Sequence, residues 1–174
     1  MSIWKSSTRV VSYHWSQVAL HWLVALLVAV QYATGGSIGR THAAVARGIE
    51  PDPFDLTLHA IHNRAGLTIL ALMLARLALR LLIGVPEPLD SPTGWRRRLA
   101  QAMHAAFYLI LIAQASTGVV ATYVYWPVSA IHGALSNALL ALIALHVSAA
   151  FWHHFVVRDG AMKRIWGLRT QAHP

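Results

Sequence analysis

The longest stretch of this sequence without a charged side chain is Leu99–Val157, which contains no Asp, Glu, Lys or Arg. It is long enough for two membrane-spanning helices, since one span takes about 20 apolar residues. Aromatic side chains favour the headgroup level and Pro interrupts a helix, so a turn is predicted near the middle of the stretch. The turn is marked by Tyr123, Tyr125, Trp126 and Pro127. The stretch therefore predicts a hairpin of two transmembrane helices.

The composition supports the same class of protein. Of 174 residues, 56% are hydrophobic and only 11% are charged, and the mean hydropathy is +0.50. A soluble domain of this size would need more polar surface, so the chain is predicted to be an integral membrane protein. There is no Cys, which excludes disulfides and covalent haem attachment through Cys-x-x-Cys-His.

Two further spans precede the hairpin. The segment 10–39 lacks charged residues, and its helix is predicted to end at Gly35 and Gly36, with a loop following as far as Phe54. Pro86 and Pro88 end the second span. The whole chain, residues 1–174, is predicted to be one all-α transmembrane domain, a four-helix bundle with helices at about 16–34, 56–83, 99–122 and 130–157.

The formal charge of +8 indicates orientation rather than nucleic-acid binding, because the basic residues lie at the ends of apolar spans. The end with many basic residues is predicted to be cytoplasmic, together with both termini. That end has Lys5, Arg9, Arg76, Arg80, Arg96, Arg97, Arg98, Arg158, Lys163, Arg164 and Arg169, whereas the other end has Arg40, Arg47 and Arg64.

Two histidines in the last span indicate a cofactor. His132 and His146 are fourteen positions apart, which corresponds to about 21 Å along a helix and returns the second side chain to nearly the same face. An imidazole in a membrane interior costs free energy unless it has a partner. Haem iron accepts histidine nitrogen on both axial sides, so two haems, one above the other, would satisfy such an arrangement.

Two other histidines lie at matching depths. His21 is near the inner edge of the first helix and can pair with His146, while His62 is near the outer start of the second helix and can pair with His132. Interhelical hydrogen bonding is an alternative for each of them. Zinc fits less well because it takes three or four clustered ligands. His59, three positions before His62, competes with His62 for the outer role.

Several sequence patterns around these histidines resemble the prokaryotic cytochrome b561 family of di-haem membrane proteins. The patterns are ALHWLVALLV at His21, IHNRAG at His62 with the following ARLALRL, IHGALSNALLALIALH, and WHHF. The resemblance implies two haem b groups in the bacterial inner membrane. It implies axial ligands His21 and His146 for the inner haem iron, and His62 and His132 for the outer one, and it selects His62 over His59.

Four residues are candidates for contacts near the inner haem. Arg76 and Arg80 could bind haem propionates, or could simply extend to the membrane edge and fix the topology. His153 and His154 could donate hydrogen bonds or protons to a quinone head group, or could cap the helix at the interface. The resemblance implies that a quinone exchanges electrons near the inner haem.

The resemblance implies electron transfer between an outer donor and the quinone pool across the lipid bilayer. One branch of the family oxidises superoxide and reduces ubiquinone. The alternative is a cytochrome b subunit that exchanges electrons with a periplasmic redox partner or dehydrogenase. The short connection between the third and fourth helices departs from the longer outer loop expected for superoxide oxidation. A haem-free structural subunit or small transporter is the third hypothesis.

Overall fold

A computed structural model describes residues 15–83 and 94–157, without the side chains of residues 83, 96 and 97. This part of the chain is helical, and its helices are joined by short connections. A 3₁₀ turn precedes the last α-helix and a π-helical turn follows it. The elements are α1 Trp15–Thr34, α2 Gly36–Ala46, α3 Pro53–Ile83, α4 Trp95–Tyr123, the 3₁₀ turn Trp126–Val128, α5 Ser129–Trp152 and the π-helical turn His153–Val157.

Four segments of the described chain are long and apolar enough to cross a membrane. α1 and α2 together form the first segment, and α3 and α4 supply the second and third. The fourth combines the 3₁₀ turn, α5 and the π-helical turn. The predicted all-α membrane fold with four spans is thereby confirmed. The segments are Trp15–Ala46, Pro53–Leu82, Arg98–Tyr123 and Trp126–Val157.

The predicted loop from Gly35 to Phe54 is wrong for residues 36–46, which form α2. Gly35 keeps right-handed helical angles, φ −58° and ψ −32°, so it does not turn the chain away. The hydroxyl groups of the small polar residues in α2 also form hydrogen bonds with backbone carbonyls one turn earlier. Ser37 donates to the carbonyl of Thr34 at 2.6 Å, and Thr41 donates to that of Ser37 at 2.9 Å. Glycine and hydroxyl residues therefore continue the helical path here.

α2 packs against the first turns of α3. Asp52 caps α3, since its Oδ1 accepts from the backbone N–H of Phe54 at 2.7 Å, and Pro53 occupies the first helical position, where a missing N–H costs little. Arg40 forms an ion pair with Asp55 at 2.6 Å. Through these contacts α2 is held beside the N-terminal end of α3. This end of the bundle is predicted to face outward and is called the outer end, and the opposite end is called the inner end.

The bundle core is a layer of apolar side chains at mid-depth. Its buried members come from α1, α3, α4 and α5. Leu139 lies seven positions from both His132 and His146, so this layer separates the two histidine depths. The buried members are Val24, Val28, Ile69, Met73, Leu111 and Leu139.

The connection between α4 and α5 is short, as predicted. Its aromatic residues are exposed, Tyr123 by 64% and Trp126 by 48%, which suits side chains at a membrane interface. The predicted orientation remains a prediction, because many of the basic residues behind it lie outside the described part of the chain. These are Lys5, Arg9, Arg158, Lys163, Arg164 and Arg169, together with the side chains of Arg96 and Arg97.

Candidate functional site

The structure brings the four predicted histidines together as two pairs. At the outer end, His62 of α3 faces His132 of α5, with ring centres 6.3 Å apart and ring planes at 73°. At the inner end, His21 of α1 faces His146 of α5, with ring centres 6.4 Å apart and planes at 54°. All four side chains are half-buried. The pairs combine the same residues that the sequence matched by depth.

Both separations fit an iron ion between two imidazoles. A metal ion takes an imidazole nitrogen at about 2 Å, which places the ring centre roughly 3 Å from the metal. Two rings on opposite sides of one ion therefore have centres roughly 6 Å apart. Two imidazoles joined only by a hydrogen bond would not need this separation, yet nearly the same separation is found at both ends of the bundle. The residues present fit bis-histidine haem at each end.

Hydrogen bonds at His132 fix its tautomer and leave the lone pair on Nε2, which faces the side-chain amide of Gln114. Its Nδ1 lies 2.9 Å from the backbone carbonyl of Gln114, which can only accept, so Nδ1 carries the proton. Nε2 therefore keeps its lone pair, and the side-chain amide of Gln114 lies 3.2 Å from it. A backbone carbonyl bound to the second nitrogen is a common support for a metal-ligating histidine, because it fixes the tautomer and the ring orientation.

His62 has an equivalent support on α1. The hydroxyl of Thr34 donates to the carbonyl of Val30 at 2.7 Å, so its oxygen accepts from His62 Nδ1 at 3.2 Å. Thr34 is only 5% exposed. In addition, the amide of Gln31 donates to the backbone carbonyl of His62 at 2.8 Å. These contacts leave His62 Nε2 with a lone pair, as at His132.

Two glycines make room for this outer arrangement. A Cβ on Gly118 of α4 would come within 2.9 Å of His132 Cε1, so the ring occupies the space that a side chain would take. A Cβ on Gly66 would come within 3.2 Å of Gln31 Nε2. Because Gly66 has no side chain, the Gln31 amide fits beside it. Sequence reasoning assigned no role to Gly118, Gln114, Gln31 or Thr34.

His59 belongs to a different cluster from His62. Its Nδ1 lies 2.8 Å from the hydroxyl of Thr41 on α2, and its ring centre is 5.6 Å from that of His42. His42 in turn stacks on Trp126, with ring centres 4.1 Å apart. The geometry thus places His62, rather than His59, opposite His132.

The inner pair has aromatic and basic neighbours. Phe107 of α4 meets the His146 ring edge-on, with centres 5.2 Å apart, and Arg76 lies within electrostatic range of His21. Arg80 points to α4, where its guanidinium carbon is 5.7 Å from the centre of the Tyr108 ring. Arg76 therefore acts on a histidine of the inner pair, whereas the ring contact of Arg80 is with α4.

Arg80 also lines an open groove between α3 and α4. The groove is mainly apolar, with the phenol of Tyr108 beside the guanidinium as its polar end. Its other lining residues are Leu77, Ala105, Leu109, Ile112 and Ala113.

His104 and the two candidate quinone-binding histidines also lie toward the inner end. His104 is within electrostatic range of His146, Arg76 and Arg80. His153 and His154 form the start of the π-helical turn and are both exposed. The His154 ring meets Phe155 edge-on at 4.7 Å. Both histidines are thus exposed at the C-terminal end of the last described span.

The chain is similar to known cytochromes over most of its length. The sequence profile described as prokaryotic cytochrome b561 matches residues 12–168. Cytochrome b562 of Cereibacter sphaeroides is 29% identical over 154 residues, which cover 86% of this chain and 91% of that protein.

Two further relatives match over similar lengths. A probable superoxide oxidase CybB of Yersinia pestis is 27% identical over 171 residues, covering 86% of this chain and 92% of that protein. Cytochrome b561 homolog 1 of Escherichia coli is 26% identical over 179 residues, covering 88% and 96%. The matches therefore extend over nearly the whole of each protein.

Proposed function

The chain belongs to the prokaryotic cytochrome b561 family of b-type haem proteins in membrane electron transfer, and we propose that it holds two haems and exchanges electrons between an outer-face donor and the quinone pool. The observation behind this proposal is the presence of two imidazole pairs, with ring centres 6.3 Å and 6.4 Å apart, at opposite ends of one bundle. Haem, when bound, supplies reversible one-electron chemistry at iron. Residues 1–174 are proposed to act as a single domain.

The chain's own residues fix and insulate the two sites. In the proposal, His21 and His146 ligate the inner haem iron, while His62 and His132 ligate the outer one. The outer imidazoles present Nε2, because Thr34 and the Gln114 carbonyl hold their other nitrogens. The apolar layer that includes Leu139 keeps water from the space between the sites. Arg76, and less directly Arg80, would balance propionate charge at the inner end.

We propose superoxide as the outer donor and ubiquinone as the acceptor. Two superoxide ions would give up one electron each and leave as two O₂, while ubiquinone takes both electrons and two protons to become ubiquinol. A relative named as a probable superoxide oxidase supports this choice. Electrostatic attraction of the anion adds little, because the Arg40 charge is paired with Asp55. Of the three outer arginines, Arg47 and Arg64 remain to attract an anion.

A cytochrome b subunit that docks a periplasmic redox protein or dehydrogenase is the second candidate. It is favoured by apolar side chains exposed at the outer end, where Val45 is 65%, Ile49 56% and Phe54 68% exposed. The short connection between α4 and α5 also leaves this end open. Exposed apolar groups beside charged ones are typical of protein interaction surfaces.

We propose that quinone exchange takes place at the inner end, with His153 and His154 as proton carriers beside the head group. The groove of Arg80 and Tyr108 lies on the same half of the bundle and could hold the apolar tail. The proposed location is the bacterial inner membrane, with both termini in the cytoplasm, in accordance with the basic inner end.

Rapid anaerobic mixing of the oxidised, haem-loaded protein with superoxide tests the proposed reaction. The expected result is fast haem reduction, followed by reoxidation only when ubiquinone is present. Superoxide dismutase added before mixing is the control and should abolish the reduction. If superoxide does not reduce a protein that ubiquinol reduces readily, superoxide is not the donor and the docked-partner candidate is favoured.

A further inference from the structure

We propose that His42 and His59 form a binding site for a divalent transition-metal ion, with Zn²⁺ as the representative ligand, at the outer end of the bundle. The two residues lie on different helices, α2 and α3, and neither belongs to the paired histidines described above. Imidazole nitrogen is a preferred ligand of zinc and copper. The site would join α2 to α3 one helical turn before His62.

The separation of the two rings fits a shared ion. Their centres are 5.6 Å apart and their planes are tilted by 39°. Two imidazoles bound to one ion have centres roughly 6 Å apart when they lie on opposite sides of it, and roughly 5 Å apart at a tetrahedral angle. The observed distance falls between these limits. The separation of the two rings is therefore compatible with both imidazoles binding one ion.

The hydrogen bond to Thr41 prepares His59 for this role. Thr41 is 4% exposed, and its hydroxyl donates to the Ser37 carbonyl at 2.9 Å, so its oxygen accepts from His59 Nδ1 at 2.8 Å. His59 Nε2 therefore keeps its lone pair. The same arrangement supports His62 through Thr34, seven positions earlier on the same helical path. Such supports orient metal-ligating histidines.

His42 is oriented by stacking rather than by hydrogen bonding. Its ring lies 4.1 Å from that of Trp126, centre to centre, with planes at 26°. Within residues 15–83 and 94–157, no hydrogen bond to the His42 ring is found, so both ring nitrogens are accessible to an ion. His42 is exposed, and the charged residues Arg40 and Asp55 nearby indicate an aqueous environment. His42 and His59 supply only two of the four ligands that zinc takes, so water would complete the coordination shell, and the ion would be held more weakly than by three or four clustered protein ligands.

Equilibrium zinc binding to the purified, haem-loaded protein tests the site. The protein should carry no polyhistidine tag, and binding should be measured by titration calorimetry and by the zinc-dependent rise in melting temperature. We expect His42→Gln and His59→Gln each to weaken binding at the highest-affinity site by at least tenfold. Thr41→Val, which removes the hydroxyl that supports His59 but keeps both imidazoles, is expected to weaken it by about tenfold.

His154→Gln is the matched control, since it removes an exposed histidine at the other end of the bundle. It should leave the high-affinity site unchanged. An equal loss in this variant would mean unspecific binding by surface imidazoles and would overturn the proposal. So would the absence of zinc binding to the wild-type protein, or its full retention in both His42→Gln and His59→Gln. Because the readout is zinc occupancy, the result does not depend on the electron donor.

Discussion

Gly118 of α4 lies so close to His132 of α5 that a Cβ on Gly118 would come within 2.9 Å of the ring carbon Cε1 and 3.2 Å of Nδ1. The ring is held there by the Gln114 carbonyl, at 2.9 Å from Nδ1. α4 carries neither histidine of the outer pair, yet it determines the position of one. The outer histidine pair is therefore positioned by four helices, since α3 and α5 carry the two imidazoles while α1 and α4 supply the groups that support them.

Gly118→Ala should displace the His132 ring, because the added methyl group and the ring cannot occupy the same space. We expect a lower content of the outer haem, by about half or more, with the inner haem retained. The measurement is the haem-to-protein ratio together with the reduced absorption spectrum. Gly133→Ala is the matched control, since a Cβ there meets nothing within 4 Å. Equal haem content in the two variants would contradict the steric account.

Thr34→Val should weaken the outer haem site without removing a ligand. The substitution preserves the side-chain volume but leaves the Nδ1–H of His62 without its acceptor, and loss of such supports typically lowers metal affinity about 10- to 100-fold. A shift in the outer haem's midpoint potential and faster haem loss on dilution would show the effect. Thr68→Val is the control, because Thr68 is exposed and bonds only within its own helix, to Arg64. The account fails if both valine variants behave like the wild type.

His154→Phe should raise the KM for ubiquinone by about tenfold, which is the loss expected when one hydrogen bond to the head group is removed. Reduction of the haems by the outer donor should not change. Steady-state assays with varied ubiquinone concentration would measure the KM. Phe151→Leu is the control, since Phe151 is a similarly exposed neighbour without a proton-carrying group. An unchanged KM in His154→Phe would exclude this histidine from the quinone site.

The sequence was sufficient to predict the four spans and to place His132 and His146 on one face of the last span. Uncharged runs define a span by length alone, and a fourteen-position spacing on one helix places His132 and His146 on one face whatever surrounds them. These properties are local, so no tertiary information is needed. The π-helical turn at His153 lies beyond the regular helix and had no such signal.

The supports of the outer histidines were missed because they depend on how helices pack. Gln31 and Gln114 each interrupt an apolar run. Because a buried amide in a membrane helix needs a hydrogen-bond partner, these two residues were the sequence signal for a polar contact between helices. Which carbonyl or ring the amide meets depends on the rotation of neighbouring helices. Gly118 gave no comparable signal, since glycine is common in membrane helices.

α2 was missed for a different reason. Gly35 and Gly36 are typical of a helix end, yet Gly35 remains in the right-handed helical conformation. Ser37 and Thr41 bond to carbonyls one turn earlier, which satisfies their hydroxyls without a loop. The cluster of His42 and His59 follows from this helix, and the sequence could not place those two residues together.

The haem content of single-histidine variants tests the central claim most directly. The wild-type protein should contain two haem b groups per chain by the pyridine haemochrome method. His21→Ala and His146→Ala should each lose the inner haem, His62→Ala and His132→Ala should each lose the outer one, and His59→Ala should retain both. Two distinct reduced spectra, one for each pair of variants, are the predicted result. If the wild-type protein holds fewer than two haems, or if all four variants retain two, the paired-histidine account is wrong.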